Sequence, residues 1–208
     1  MKQVGITGRL VVHETTGEIR DCLDIAWAEY LISLGLNPIH LLYRKMEFDP
    51  QIDALILSGG NSLSSVADCE LSRMRDEFEI GLLKYCLLMK IPVLGVCRGA
   101  QLIWQYFGGG IASCQNHAGQ THLVSVNGVS EPFMVESYHD FALQEAEGFI
   151  ATEIFARSLP DHLSEGFLLK DHGIMGIMWH PERVLGCSRA RDYTNNLIRQ
   201  LCKSALEG

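Results

Sequence analysis

Val93-Leu94-Gly95-Val96-Cys97-Arg98-Gly99-Ala100-Gln101 is the stretch on which the reading of the fold turns. The apolar, strand-like run Ile91 to Val96 stops at a cysteine, and a helix-like run, Ala100 to Phe107, starts just beyond it. Gly95 and Gly99 flank Cys97 two residues to either side, the G-x-nucleophile-x-G spacing of a nucleophile elbow. The turn is so tight that the residues beside the nucleophile must be small. It places the thiol at a helix N-terminus, where backbone N–H groups and the helix dipole favour a thiolate. Cys97 is therefore a candidate for covalent catalysis.

The elements upstream alternate. Val4 to Thr7 is strand-like, and Ile19, Leu23, Ala26, Tyr30 and Leu34 recur at helical spacing, so a helix is expected over Glu18 to Leu34. Thr15 or Thr16 would cap it and Gly35 would end it. Pro38 to Leu42 and Ala54 to Leu57 read as strands, the latter running into Ser58-Gly59-Gly60-Asn61, and Glu70 to Met89 as a long amphipathic helix. Such alternation predicts an α/β fold with a mostly parallel sheet covered by helices on both faces. Ligands then bind beyond the carboxyl ends of the strands, where Cys97 and Gly59-Gly60 both fall. The second half adds strand candidates at His122–Val126, Met134–Tyr138, Phe149–Ala156, Gly166–Lys170 and Ile174–Trp179, and a last helix from Arg189 to Leu206. With no repeat or linker, residues 1–208 are expected to form a single domain.

Composition narrows the function. Lys and Arg number 17 against 25 Asp and Glu, a net charge of -8, with no long basic run. Neither nucleic acid nor an anionic membrane surface is an expected partner. No apolar run reaches the roughly 18 residues of a membrane span. The chain enters a strand pattern at Val4, which is no signal-peptide layout. Its seven cysteines are scattered without a C-x-x-C pair, so reduced thiols in a cytoplasmic protein are expected.

A cysteine nucleophile needs a base, and the base an orienting group. The strand Ile174 to Trp179 ends in His180-Pro181-Glu182. Pro181 stiffens the turn, and Glu182 can hold one ring nitrogen while the other faces Cys97.

Gly95 to Gln101 together with Gly176-Ile177-Met178-Trp179-His180-Pro181-Glu182 resembles the class I glutamine amidotransferase superfamily. The resemblance spans Val4 to Leu201. It implies a flavodoxin-like sheet and a Cys-His-Glu triad of Cys97, His180 and Glu182. It also implies an oxyanion hole from the backbone N–H groups of Gly60 and Arg98. Substrate-lining roles would fall to Gln101 and to Ser137-Tyr138-His139. Arg75-Asp76-Glu77-Phe78-Glu79, with His117 and His122 after Gly108-Gly109-Gly110, looks like the γ-glutamyl hydrolase branch, which includes γ-glutamyl-γ-aminobutyrate hydrolases. Two departures from those are the loop Gly59-Gly60-Asn61-Ser62-Leu63 and a shorter chain. Ile6 to Leu10 and Glu18 to Asp24 look closer to γ-glutamyl-CDP-amidate hydrolases, which serve in phosphoramidate decoration of bacterial capsules. The resemblance thus implies hydrolysis of a small-molecule γ-glutamyl amide, a cytidine nucleotide conjugate included, through a thioester and without a cofactor. The alternatives are a γ-glutamyl-γ-aminobutyrate-type hydrolase and a glutaminase subunit that supplies ammonia to a synthetase partner, and the oligomeric state, homodimer included, stays open.

The remaining motifs read blandly. Cys22, Cys86, Cys114 and Cys202 are expected as small buried hydrophobes. His117, His122 and His172 share no i, i+4 face, so no metal site is expected. Arg9 and Arg20 are expected as solvated charges more than as phosphate clamps.

Overall fold

A computed structural model describes residues 1–44, 51–145, 153–159, 161–183 and 188–204. In chain order the elements are β1 (Gln3–Thr7), β2 (Arg9–Val12), β3 (Ile19–Cys22), α1 (Ile25–Ser33), β4 (Asn37–Leu41), β5 (Ala54–Leu57), α2 (Glu70–Met89), β6 (Val93–Val96) and α3 (Arg98–Tyr106). Then come β7 (Gly110–Ser113), β8 (Gln120–Val126), β9 (Phe133–Ser137), β10 (Phe141–Gln144), β11 (Glu153–Ser158), β12 (Ser164–Leu169), β13 (Ile174–Ile177) and α4 (Ser188–Ser204).

The main sheet runs β4-β1-β5-β6-β13-β12-β11-β8-β9, with β10 on β12 and β7 on β10. The first five strands are mutually parallel and the rest of the path is antiparallel. Parallel strands put their carboxyl ends on one edge, so the chain leaves β1, β5, β6 and β13 side by side. β5 and β6 are buried at every position, as a central strand covered on both faces requires. One face packs Val4, Ile6, Ile56, Leu94 and Ile177 against Trp27 and Leu31 of α1 and Ile198 and Leu201 of α4. The other packs Leu55, Leu57, Val93 and Ile174 against Leu82 and Leu83 of α2 and Ile103 and Trp104 of α3.

One expected element is corrected. The helix expected over Glu18–Leu34 is a strand, β3, followed by the shorter α1. β3 pairs antiparallel with β2 as a separate two-stranded hairpin. The cause is the reversal before it: His13 and Glu18 close a hydrogen bond of 2.8 Å, and Gly17 takes φ +70°. That left-handed turn suits glycine and directs the chain back along β2. The cap is Asp24, not a threonine; its carboxylate accepts from the Ala26 N–H at 3.0 Å. Three short strands, β2, β7 and β10, escape a pattern-based reading. The strand expected over Phe149–Ala156 is described only from Glu153, and Cys187 and the end of the last helix lie outside the described residues. Among the described residues, no helix is long and apolar enough to cross a membrane.

Candidate active site

Cys97 follows β6 directly and caps α3, with φ 51° and ψ -108°. A side chain at positive φ in this region is strained, and such strain costs on the order of 1–3 kcal/mol unless the surroundings impose it. They do. The Cys97 N–H donates to Ile177 O at 2.8 Å, and its carbonyl accepts from Gln101 at 3.0 Å. A Cβ on Gly99 would sit 2.0 Å from Leu57 O, and one on Gly95 would sit 2.6 Å from Ala100 N. Only glycine lets α3 start this close to β5 and β6. The result is a buried thiol at the amino end of α3.

His180 comes off β13, the neighbour of β6 in the sheet. Its Nδ1 and Glu182 Oε1 are 2.7 Å apart, both side chains buried. Burial disfavours the imidazolium, but hydrogen bonds to Cys97 and Glu182, and their charges, outweigh it and raise the His180 pKa to about 9. Two contacts hold the ring, and a hydrogen bond fixes its neighbour. Trp179, beside it, donates its indole N–H to Thr194 of α4 at 3.0 Å. The Tyr138 ring stands edge-on, 5.6 Å away. Gly59 lies so close that a Cβ there would be 2.6 Å from His180 Cε1.

The loop after β5 is held from behind by a buried ionic cluster. Arg75 of α2 donates to Ser58 O at 2.8 Å, to Gly59 O at 3.0 Å and to Gly60 O. It also pairs with Glu79 at 2.9 Å, which accepts from Thr7 of β1 at 2.7 Å and from Arg98. Arg98 pairs with Asp76 as well. In a trans peptide the N–H points opposite to the C=O. Turning the Gly59 carbonyl toward Arg75 therefore turns the Gly60 N–H toward the other side of the loop. Arg98, whose N–H opens α3, has its side chain in the same cluster.

Over the edge lies a cavity of about 230 Å³, lined by Arg9, Cys22, Leu23, Asp24, Trp27, Ser58, Gly59, Gly60, His180, Glu182 and Arg183. The β2–β3 hairpin walls it: Asn61 accepts from Leu10 N–H at 3.1 Å and donates to Leu10 O at 2.9 Å. Arg183 lies over the Tyr138 ring at 4.2 Å. Of the two arginines weighed from sequence, Arg9 borders this cavity, whereas Arg20 pairs with Glu18 at 2.8 Å on the exposed hairpin.

The structure thus brings Cys97, His180, Glu182, Gly60 and the start of α3 at Arg98 to one edge. The other expected residues surround it differently. The Gln101 side-chain amide donates to Phe141 O at 2.8 Å, which ties it to the segment after Ser137-Tyr138-His139. Tyr138 is half-exposed beside His180, and Ser137 is buried. The His139 ring turns the other way, to Cys114 Sγ at 3.6 Å and Glu165 at 3.5 Å. His172 stacks on Phe107 elsewhere. Sequence reasoning missed the role of Arg75 and Glu79, although both sit on the otherwise apolar face of α2 at an i, i+4 spacing. A charged pair on a buried helix face is a signal in itself.

The glutamine amidotransferase class-I family model matches residues 26–200. Gamma-glutamyl-CDP-amidate hydrolase of Campylobacter jejuni is 38% identical over 189 residues, covering 88% of this chain and 91% of that protein. Anthranilate synthase component 2 of Thermus thermophilus is 28% identical over 195 residues, 87% of this chain and 89% of that one. Among solved structures, a candidate GMP synthase subunit from Thermoplasma acidophilum superposes with a TM-score of 0.70 at 21% identity, over 98% of this chain and 95% of that chain. A glutamine amidotransferase from Thermotoga maritima gives 0.64 at 14% identity, over 99% and 86%. At these identities the structural likeness speaks for the α/β fold.

Proposed function

Because the chain belongs to the glutamine amidotransferase class-I family, we propose that it hydrolyses the γ-glutamyl amide bond of a small molecule through a Cys97–His180–Glu182 triad. The observation that carries this is the convergence at Gly59 of a strained, buried cysteine and a histidine whose Nδ1 lies 2.7 Å from a buried carboxylate. The raised His180 pKa favours a proton on the imidazole, where the leaving nitrogen can receive it.

The steps follow from that convergence. Cys97 Sγ attacks the γ-carbonyl carbon, and the carbonyl π pair moves to oxygen. The Gly60 and Arg98 N–H groups receive that oxyanion; such a donor is worth roughly 3–4 kcal/mol. The tetrahedral species collapses as the C–N bond breaks and His180 gives its proton to the leaving nitrogen. A γ-glutamyl thioester remains. Water then loses a proton to His180, attacks the thioester carbonyl, and glutamate leaves as Cys97 Sγ is released. Glu182 keeps the ring oriented and balances its charge throughout.

For the substrate, a γ-glutamyl-CDP-amidate, with the CDP-amidate as leaving group, is the reading best supported, by the Campylobacter jejuni relative and by the cavity beside His180. Arg9 and Arg183 border that cavity, and Trp27 lines it. Guanidinium groups match phosphate oxygens. Glutamate release from this conjugate, from γ-glutamyl-γ-aminobutyrate and from glutamine separates the readings. The expected order puts the cytidine conjugate first by at least tenfold in kcat/KM. Equal turnover of all three overturns the nucleotide assignment, and undiminished turnover by Cys97→Ala overturns the mechanism. The anthranilate synthase relative favours a second reading, a glutaminase acting with a synthetase. Glutamine turnover that exceeds the conjugate's and rises on adding that partner decides for it.

A further inference from the structure

Beyond the triad, the sheet gathers a second set of buried polar groups that the acyl-transfer steps do not use. His117 follows β7, His122 lies on β8, His139 follows β9 and Glu165 lies on β12. Three stretches distant in sequence, around 117–122, 139 and 165, thus meet at one point. The side chains are nearly sealed from solvent: 0% exposed for Glu165, 2% for His139, 3% for His117 and 6% for His122. Their facing atoms lack hydrogen-bond partners: both oxygens of Glu165, both nitrogens of His122, His117 Nδ1 and His139 Nε2. A buried carboxylate with only these three rings at 3.3–3.5 Å, and no hydrogen bond of good geometry, is costly unless something more compensates it.

The spacing says what compensates it. His117 Nδ1, His122 Nε2 and His139 Nε2 stand 3.5, 3.3 and 3.5 Å from the same atom, Glu165 Oε1. Ligands bound at about 2.0–2.1 Å around a tetrahedral zinc ion are about 3.4 Å apart. The ligand atoms of His117, His139 and Glu165 all lie within 4.8 Å of one another. The groups behind the rings match as well. His117 Nε2 is 2.8 Å from Asp161 Oδ2, and His139 Nδ1 is 3.6 Å from Cys114 Sγ. A carboxylate behind a histidine sets the tautomer, leaving Nδ1 unprotonated toward the centre. With neutral rings, Glu165 and Asp161 together carry two negative charges, which a divalent ion balances.

We propose that His117, His139 and Glu165 bind a divalent transition-metal ion of the zinc type, with His122 as fourth ligand. The ion lies outside the cavity described above and takes no part in the acyl transfer. Its place is structural: it joins the Ser137-Tyr138-His139 segment to β12 and β8. The Met178 N–H donates to Glu165 O at 2.8 Å, so the same strand pair that holds the ligand also leads to His180. The expectation from sequence, that no metal site exists, counts only i, i+4 spacing and so cannot register ligands from stretches far apart in the chain.

The test is elemental analysis and thermal unfolding of the full-length protein, free of any histidine tag, with Zn²⁺ and Co²⁺ as probes. About one zinc ion per chain is expected, with a chelator lowering the melting temperature by about 5 °C or more. Co²⁺ in its place should give the visible absorption of a tetrahedral site. Cys97→Ala should keep the ion, whereas Glu165→Gln and His117→Ala should each weaken binding at least tenfold. Should those two variants fail to fold, cobalt titration of the metal-free wild type decides alone. Absence of the ion, together with no thermal shift on adding Zn²⁺ or Co²⁺, overturns the proposal and leaves a proton-sharing His–Glu network. So does an ion that is lost in Cys97→Ala.

Discussion

A cysteine at φ 51° shows how one residue can carry both a cost and a use. The glycines beside Cys97 are legible in the sequence because a tight turn excludes side chains. Gly59 is not, because its neighbour is the ring of His180, more than a hundred residues away. Gly59→Ala is predicted to push that ring aside, since the added carbon would lie 2.6 Å from Cε1. Glutamate release should fall by roughly 10²-fold, the scale of an ångström's misplacement, while the melting temperature changes little. His180 also makes stability depend on pH. Its folded pKa, about 9, lies above its ordinary value of 6.5. The imidazolium's contribution is therefore fully present below about pH 6.5 and is lost as pH rises through 9. The melting temperature of wild type should fall between pH 7 and pH 10 more steeply than that of His180→Gln, measured side by side by circular dichroism.

Helix α2 and the hairpin show what periodicity can and cannot convey about an element. Glu70–Met89 is legible to the residue because its apolar pattern, its length and the two faces of its surroundings agree. Ile19–Cys22 reads as helix because Ile19 and Leu23 fall at helical spacing with α1 by coincidence. The turn at Gly17 and the pairing with β2 decide the matter instead, and cross-strand partners leave little trace in a local pattern. Strands β7 and β10 are similar: Gly110, Ala112 and their neighbours carry a weak signal and become strands by pairing with each other. Within α2, Glu79 is the shared counter-charge of Arg75 and Arg98, and its carboxyl is held below its ordinary range because those guanidiniums outweigh the effect of burial. Glu79→Gln leaves two buried cations short of a partner, so a loss of about 3–5 kcal/mol is expected by denaturant unfolding. Activity should fall further than unfolding alone accounts for, because the Gly59-Gly60 loop loses its backing.

Across the whole molecule, two apolar layers clamp one sheet, and α4 supplies part of the layer that reaches the site. Ile198, Leu201 and Cys202 of α4 pack in the cluster that holds Trp27, Val96 and Trp179. Each such buried aliphatic side chain contributes about 1.5–3 kcal/mol. A chain ending at residue 187 is therefore predicted to lose cooperative thermal unfolding and its near-ultraviolet tryptophan signal, rather than to persist as a folded inactive protein. The alternation that announces a parallel sheet is legible because each βαβ unit is local. The meeting of Glu165 with three histidines is not, since it follows from the antiparallel order of the second half.

The tie between Asn61 and Leu10 has a bearing on how such a protein can change over generations. Cys97 and His180 follow β6 and β13, whereas the cavity's outer wall rides on β2 and β3. The two are joined by a pair of side-chain hydrogen bonds to backbone and by Arg9 leaning on Gly60. Insertions at the hairpin tip, far from the elbow, are thus free to remodel what enters while inheriting the chemistry intact. Under the proposed acyl transfer, relatives sharing the elbow can diverge in what they accept by editing this ribbon, since surface loops tolerate insertion and deletion.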